Sequence, residues 1–142
     1  MKKQLLAGFT LIELLITIAI IGILAAVILT SLNDAREQSI NAKIKTEMDA
    51  IAKRASIENA RLFTYDMVCG SNGFDQSEPI EYLITSINSF ASSTVICNSS
   101  PAAYALSVPV DTVHWCVDST GVRKEIPDPL VDTVGSEEFV CP

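Results

Sequence analysis

The stretch AGFTLIELLITIAIIGILAAVIL, from Ala7 to Leu29, decides how this chain is built. Its one ionisable side chain is Glu13, and the 19 residues from Leu14 to Leu32 carry no charge. A span of this length can cross the hydrocarbon core of a membrane as a helix. Lys2 and Lys3 precede it and mark its cytoplasmic end. The sequence therefore predicts a membrane-spanning helix, and the presence of Glu13 needs an explanation because charge is costly there.

Three kinds of segment have this composition: a secretory signal, a plain membrane anchor, and a segment that uses Glu13. A secretory signal is cleaved after its apolar core, at a small-x-small site. Here Ala25 and Ala26 lie inside the core, and the small residue Gly8 lies before it. A plain anchor has no use for Glu13. The third kind of segment fits the sequence best.

The residues Gly8-Phe9-Thr10-Leu11-Ile12-Glu13-Leu14-Leu15, after Lys2-Lys3, closely resemble the type III signal of type IV pilins and type II secretion pseudopilins. In that family a membrane peptidase cleaves after the glycine and methylates the new N-terminus. The resemblance implies cleavage between Gly8 and Phe9, N-methylation of Phe9, and removal of residues 1–8 as a leader. It also implies that Glu13 meets the Phe9 ammonium of a neighbouring subunit during assembly. A carboxylate in a first helical turn is favoured by the helix dipole, and an ammonium in an apolar phase needs a counter-ion.

We expect a long helix followed by a small head. No proline occurs before Pro79, so one helix can run from residue 9 to about residue 64. Its first half, residues 9–32, would cross the membrane and polymerise, and its second half, residues 33–64, is amphipathic. The head, residues 65–142, would contain a short helix and four strands, at residues 78–90, 93–97, 103–108, 113–118 and 122–126. This α+β arrangement, a long N-terminal helix packed on a small antiparallel sheet, is also the pilin-like fold that the resemblance implies.

The four cysteines all lie in the second half of the chain, at Cys69, Cys97, Cys116 and Cys141. An even number beyond an export segment predicts two disulfides in an oxidising compartment, and the sequence has no CxxC pair that would favour a zinc site. Four cysteines allow three pairings. We favour Cys69–Cys97, which ties the loop after the long helix to the first strand. Cys116–Cys141 would then pin the tail, which resembles the closing disulfide loop of many pilins.

The sequence contains little that predicts chemistry in the head. His114 is the only histidine, and on a predicted strand we expect it to be a surface or edge residue. No Ser-His-Asp order, phosphate-binding glycine loop or HExxH motif occurs, so no catalytic residue and no enzyme activity are predicted. The triplet Asn98-Ser99-Ser100 matches the N-glycosylation acceptor pattern and is expected on a loop.

Four aspartates lie towards the end of the chain, at Asp111, Asp118, Asp128 and Asp132. Carboxylate oxygens bind calcium, and the resemblance extends to major pseudopilins, which have a calcium site near their C-terminal loop. The spacing of these aspartates is not that of a calcium-binding loop. Calcium is therefore the one cofactor that the residues suggest, and the main expectation is that there is none.

The predicted function is structural: a major or minor subunit of a type IV pilus-like extracellular filament, which polymerises through the apolar helix. The resemblance implies four partners: other copies of the chain, a prepilin peptidase and methyltransferase, an inner-membrane assembly platform, and minor pilins. It also implies a change of location, from a single-pass cytoplasmic membrane protein to an extracellular filament.

Two other functions are open. The first is a pseudopilin of a type II secretion-like system, which forms a periplasmic pseudopilus. The second is a membrane-tethered binding domain that never polymerises. The formal net charge is −7, and without Lys2 and Lys3 the chain has 8 basic and 17 acidic side chains. This balance argues against direct binding of nucleic acid, which requires a basic surface.

Overall fold

The computed structural model of the protein describes residues 8–91, 94–132 and 138–142. The predicted α+β, pilin-like class is confirmed: a long N-terminal helix comes first, and a four-stranded antiparallel sheet and two disulfides follow. The chain divides into two compact units, Met1–Gln38 and Ser39–Pro142, and the division falls within the first helix. The elements are α1 (Leu11–Leu62), α2 (Asp66–Cys69), α3 (Glu78–Phe90), β1 (Ile96–Ser99), β2 (Tyr104–Val110), β3 (Val113–Asp118) and β4 (Arg123–Ile126).

In the first unit, α1 has apolar side chains on all sides, and none of them is buried. Every residue from 8 to 38 is exposed, as expected for a helix whose surroundings are not part of the chain. The large apolar side chains are 52% to 78% exposed; they are Phe9, Leu11, Ile12, Leu14, Leu15, Ile16, Ile18, Ile20, Ile21, Ile23, Leu24, Val27, Ile28, Leu29 and Leu32. In water such a surface would be very unfavourable, so this part of α1 requires a lipid or protein environment.

In the second unit, α1 becomes amphipathic and buries one face. Ile44, Met48, Ile51 and Ala55 recur at spacings of three and four residues and are at most 1% exposed. The helix ends at Leu62, two residues before the predicted end, because the next residue, Phe63, has a left-handed backbone with φ of 57°.

The segment between α1 and α3 is organised by one buried carboxylate. Asp66 accepts hydrogen bonds from Thr64 Oγ1 at 2.7 Å, Ser71 Oγ at 2.8 Å and Asn72 Nδ2 at 2.8 Å. These bonds hold the short helix α2 within a stretch that the sequence predicts to be entirely loop. Sequence patterns did not predict α2 because it is only four residues long and is stabilised by side chains on both sides of it.

The helix α3 runs antiparallel to α1 along one flank of it. Ser77, at the start of α3, donates to Glu58 Oε1 at 3.2 Å, and Ser86, further along α3, donates to Glu47 Oε1 at 3.1 Å. The Lys43 ammonium lies 4.0 Å from the centre of the Phe90 ring, beyond that point on both helices. The residue numbers of the contacts increase along α3 while they decrease along α1, so the two helices are antiparallel.

The four strands form one antiparallel sheet in the order β1-β2-β3-β4. Cys97 lies opposite Leu106, and Cys116 lies opposite Lys124. Two ion pairs join β4 to the other flank of α1. In these pairs Lys45 Nζ lies 2.8 Å from Glu125 Oε1, and Arg123 Nε lies 2.6 Å from Asp49 Oδ1.

Three strands differ from the prediction in their bounds: β1 and β2 at both ends, with β2 beginning at Tyr104 and not at residue 103, and β4 at its start, at Arg123 and not at residue 122. The first strand was expected over residues 93–97, but β1 begins at Ile96 and ends at Ser99; residue 93 lies outside the described residues. The strand β2 continues past the predicted end at residue 108, through Pro109. Because β1 pairs with β2 only as far as Ser107, one side of β2 is open at Pro109. Such an edge position accommodates a residue that has no N–H.

The sheet has a hydrophobic cluster on each face. The larger cluster packs the sheet on the helices, and its buried members include Ile44, Met48, Ile51, Ile80, Ile87, Leu106, Val108 and Val117. The smaller cluster lies under the C-terminal tail, and it consists of Ala105, Cys116, Ile126, Leu130 and Cys141, with Ile96 packed against it. Alternation along β3 explains the division, since Val117 faces one cluster and Cys116 the other.

Candidate processing and assembly site

The Gly8–Phe9 peptide bond lies outside the helix. Gly8, Phe9 and Thr10 have no regular secondary structure and are exposed, and α1 begins at Leu11. A peptide bond must leave a helix to enter a protease cleft, because helical hydrogen bonds and side chains cover the backbone. The predicted cleavage bond is therefore in an accessible conformation.

Thr10 and Glu13 form a capping box at the start of α1. The Thr10 N–H donates to Glu13 Oε2 at 2.9 Å, and the Thr10 hydroxyl donates to the same oxygen at 2.8 Å. In return, the Glu13 N–H donates to Thr10 Oγ1 at 3.3 Å. The first helical bond, from Leu14 N–H to the Thr10 carbonyl, measures 3.3 Å. This reciprocal arrangement between the residue before a helix and its third residue satisfies backbone donors that otherwise have no partner.

The capping box gives the Glu13 carboxylate local partners on its own chain. Both bonds from Thr10 fall on Oε2, and no described residue donates to Oε1. One oxygen thus stabilises the helix start, while the other can accept from a group that belongs to another molecule. The position also favours negative charge, since the N-terminus of a helix carries a partial positive charge.

Sequence reasoning did not predict this role of Thr10. It explained Glu13 by a partner that meets it after cleavage and assigned Thr10 no function. The signal was present, because Thr10-Leu11-Ile12-Glu13 followed by an apolar run is the T-x-x-E pattern of a capping box.

The helix that follows this site can cross a membrane. Among the described helices, α1 is long and apolar enough by length and composition, and none of its most apolar segment is buried within the protein. The side chains that would contact lipid or neighbouring helices are thus all exposed.

The two disulfides join the pairs that the sequence analysis favoured, Cys69–Cys97 and Cys116–Cys141. The first disulfide connects α2 to β1, and these two elements pack against each other. The second connects β3 to the C-terminal tail. Each bridge closes a long segment, with sequence separations of 28 and 25 residues, so both restrict the unfolded chain considerably.

Asn98 is not on a loop, which corrects the expectation for the glycosylation triplet. It lies in β1 and is 3% exposed, and its Nδ2 donates to the carbonyl oxygens of Val131 at 2.8 Å and Glu138 at 3.0 Å. N-glycosylation would modify this same nitrogen. In the folded head Asn98 therefore holds the tail against the sheet, and its amide is not accessible as an acceptor.

The four aspartates are not gathered into one site. Among the described residues, no group of three or more His, Cys, Asp or Glu side chains could hold a metal ion, which gives the calcium expectation no support there. Asp118 is engaged elsewhere: Oδ1 accepts from Thr120 N–H, Thr120 Oγ1 and Val122 N–H at 2.6 to 3.1 Å, and Oδ2 accepts from Cys141 N–H at 2.9 Å. It closes the β3–β4 turn and anchors the tail.

His114 lies on β3, opposite Pro109 of β2 and Ile126 of β4. It is half-buried, and its Nδ1 is buried without a hydrogen-bond partner among the described residues. No described carboxylate or hydroxyl donates to or accepts from this nitrogen. His114 therefore lies half-buried on an inner strand, which corrects the expected surface or edge position, and no described group bonds its Nδ1 as a general base would require.

Comparison with known proteins identifies the N-terminal segment. The family model described as the prokaryotic N-terminal methylation motif matches residues 7–29. No curated protein and no solved structure matches the chain. The chain thus carries a type IV pilin-like prepilin signal, which confirms the resemblance inferred from residues 8–15. Such a signal implies processing by a prepilin peptidase, and with the apolar helix it fits a membrane-anchored precursor.

Proposed function

We propose that this protein is a major or minor subunit of a type IV pilus-like extracellular filament, and that it polymerises through the first half of α1. The observation that carries the proposal is the first unit of the chain. A capped helix start with one carboxylate is followed there by apolar side chains that are exposed in every direction. A helix that only anchored a domain could use Glu13 Oε2 to cap its start, but it would have no use for the second carboxylate oxygen, Oε1.

In this proposal, residues 1–8 are the leader and are removed by a prepilin peptidase, which also methylates the new N-terminus at Phe9. The new ammonium lies beside Thr10, at the end of the chain nearest to Glu13. A subunit that enters the filament places its Phe9 ammonium against the Glu13 carboxylate of a neighbour. An unpaired charge in an apolar environment is unfavourable, so correctly aligned subunits are preferred over all other alignments.

The capping box supports a sequence of two states for Glu13. Before assembly, Thr10 of the same chain satisfies Oε2, so the precursor does not carry a bare carboxylate in the membrane. During assembly, Oε1 is available for the ammonium of the neighbour. Thr10 is a positioning residue in this scheme, since it orients the carboxylate and contacts no part of the leader bond.

The proposed partners are other copies of the chain, the prepilin peptidase and methyltransferase, an inner-membrane assembly platform and minor pilins. The protein is a single-pass protein of the cytoplasmic membrane until it is extracted into the filament. The two disulfides of the head fit this route, because they form in an oxidising compartment outside the cytoplasm. The head is acidic, so direct binding of nucleic acid forms no part of the proposal.

The test is the substitution Glu13→Ala, with Glu37→Ala as a matched control. Glu37 is an exposed acid on the same helix, beyond the uncharged span. We expect Glu13→Ala to be processed at Phe9 but to be depleted from sheared surface filaments by at least about tenfold, because its helix cannot pair with an incoming ammonium. Glu37→Ala should form filaments like the wild type.

Each alternative function corresponds to a different result. Normal assembly of Glu13→Ala would contradict the proposal and favour a tethered binding domain. A processed wild-type chain that remains in the membrane fraction, with none in sheared filaments, would favour the pseudopilin of a type II secretion-like system.

A further inference from the structure

A small polar cleft lies in the head, between the end of α2 and β1 on one side and the C-terminal tail on the other. Its volume is about 170 Å³, which is room for about six water molecules, since each occupies about 30 Å³ in the liquid. All of its lining residues belong to the second unit. The residues that decide its chemistry are Ser71, Asn98, Ser99, Asp132, Phe139 and the disulfide Cys69–Cys97.

The two hydroxyl groups of the cleft have already used their hydrogens. Ser71 Oγ donates to Asp66 Oδ1 at 2.8 Å. Burial raises the pKa of Asp66, but its hydrogen bonds lower the pKa by more, so this carboxylate is ionised near neutral pH and can only accept. Ser99 Oγ lies 3.0 Å from Ser71 Oγ and 3.3 Å from the Asp66 carbonyl oxygen. Because Ser71 has spent its one hydrogen, Ser99 is the donor in either contact, and both hydroxyls present only lone pairs to a ligand.

The other two polar side chains of the cleft also have no free hydrogen. Asn98 Nδ2 donates to the carbonyl oxygens of Val131 and Glu138, and Asn98 Oδ1 is buried without a hydrogen-bond partner among the described residues. Asp132 is exposed, and no cation of the described residues forms an ion pair with it. In the described part of the chain, no basic side chain lines the cleft.

A cleft whose side chains offer acceptors and one negative charge favours a ligand that supplies hydrogen-bond donors and positive charge. A primary ammonium has three N–H donors and no acceptor. A calcium ion fits less well, because it needs six to eight oxygen ligands and gains nothing from an aromatic ring or a disulfide. Phe139 and the disulfide Cys69–Cys97 can instead pack against the carbon atoms beside an ammonium, and an aromatic ring attracts the cation itself.

We propose that this cleft binds a primary alkylammonium group. The ammonium donates to Ser71 Oγ, Ser99 Oγ and the Asp132 carboxylate, and its alkyl stem packs on Phe139 and the disulfide. Such a group has two sources, a free amine and the side chain of a lysine in another protein. The site lies in the head alone, so the inference goes beyond the proposed function and does not depend on polymerisation.

Titration of the isotope-labelled full-length chain with n-butylammonium chloride, in a non-ionic detergent, tests the site through the NMR shifts of backbone amides. We expect the shifts to centre on Ser71, Ser99 and Asp132, with a dissociation constant of about 1 to 10 mM, because one partly exposed ion pair contributes little. Two probes of the same chain length are controls. Butanoate should not shift these amides, and 1-butanol should bind at least about tenfold more weakly.

A matched pair of substitutions separates the cleft from the general acidity of the head. Asp132→Asn should raise the dissociation constant of n-butylammonium about tenfold, because it removes the charge that faces the ammonium. Asp128→Asn removes the same charge from an exposed position of the tail outside the cleft and should leave the constant within about twofold of the wild type. Equal effects of the two substitutions would overturn the site, since attraction would then come from net charge alone.

A second probe distinguishes the two sources of the ammonium. If Nα-acetyl-lysine N-methylamide binds as tightly as n-butylammonium, the cleft accepts a lysine within a protein chain; if it binds at least about tenfold more weakly, the ligand is a free amine. Either result supports an ammonium site. Shifts of the same amides by 1-butanol or calcium chloride at equal or lower concentration, or no shifts up to about 50 mM n-butylammonium, would overturn it, while the dependence of assembly on Glu13 would still stand.

Discussion

At the scale of single residues, the pair Thr10 and Glu13 explains how a carboxylate is kept at the start of an apolar helix. Its cost is reduced by two donors from the same chain, and its position is favoured by the helix dipole. The same geometry leaves one carboxylate oxygen for a partner. In the proposed scheme, Glu13 therefore serves folding before assembly and subunit alignment during it.

The substitution Thr10→Val tests the capping box, because valine keeps the branched shape of threonine and removes only the hydroxyl. We expect the amide of Glu13 to exchange with solvent about fivefold faster than in the wild type, since a lost N-cap costs about 1 kcal/mol. The measurement is hydrogen exchange on the full-length chain in detergent. Thr10→Ser, which keeps the hydroxyl, is the control; equal exchange in Thr10→Val and Thr10→Ser would contradict the role of the hydroxyl.

Asp118 should make the stability of the head depend on pH. Burial raises the pKa of its carboxyl. Hydrogen bonds from Thr120, Cys141 and Val122 lower the pKa by more than burial raises it, so the pKa lies below its ordinary value. The same is true of Asp66, where burial is outweighed by hydrogen bonds from Thr64, Asn72 and Ser71. A lowered folded pKa gives stability that is complete above the unfolded pKa of about 3.9 and is lost as the pH falls through the folded value.

We therefore expect the free energy of unfolding to be level near neutral pH and to fall below about pH 4. Asp118→Asn should lose about 2 kcal/mol at neutral pH, because an amide nitrogen then faces the Cys141 N–H, and should show a smaller further loss in acid. The fluorescence of Trp115, the single tryptophan, can follow denaturant unfolding of the full-length chain in detergent. A variant whose stability falls in acid as steeply as that of the wild type would contradict this account.

At the scale of elements, the sequence predicted the helices and strands that have a strong repeat. The apolar span and the stripe from Ile44 to Ala55 predicted α1, and the alternation of VHWCVD predicted β3 at both ends. The prediction of the short elements was wrong because their bounds depend on contacts with residues distant in the sequence. The helix α2 depends on bonds to Asp66, and β1 extends to Ser99 because Asn98 bonds the tail. Local composition does not contain these contacts.

The candidate site was predicted in its composition but not in its geometry. Gly8, Phe9 and Glu13 were selected from the signal, whereas the bonds from Thr10 to Glu13 were seen only in the structure. In the head, the triplet at Asn98 predicted a surface loop, but the residue is buried in β1. A short motif records residue types and not burial, so it cannot distinguish these environments.

The disulfide Cys116–Cys141 belongs to this scale because it fixes the tail to the sheet. We expect Cys116→Ala/Cys141→Ala to lower the free energy of unfolding by about 3 kcal/mol, as for a loop of this length. The backbone amide hydrogens of the tail at Val131 and Cys141 should also exchange with solvent faster in this variant. The comparison is Cys69→Ala/Cys97→Ala. It removes a disulfide that closes a loop of similar length, so it should lower the free energy of unfolding by a similar amount. If Cys116→Ala/Cys141→Ala left the exchange of the tail unchanged, the tail would be held by Asn98 and Asp118 alone.

At the scale of the whole molecule, the two units have different surfaces and different tasks. The first unit offers an apolar surface with one carboxylate, which suits packing among identical helices away from water. The second is an acidic head fixed by two disulfides. In the proposed filament the contact made by the first unit is heterologous, since the Phe9 ammonium of one copy would meet the Glu13 carboxylate of the next. Repetition of such contacts gives a helical array and not a closed ring or dimer, unless the rotation closes.

The central claim is that the chain is processed at Gly8–Phe9 and assembled into a surface filament. Mass spectrometry of filaments sheared from the surface of producing cells tests it most directly. We predict a mature chain that starts at N-methylated Phe9 and is four hydrogens lighter than its reduced form, because both disulfides are intact. Sheared material in which the chain still carries residues 1–8 would contradict the claim.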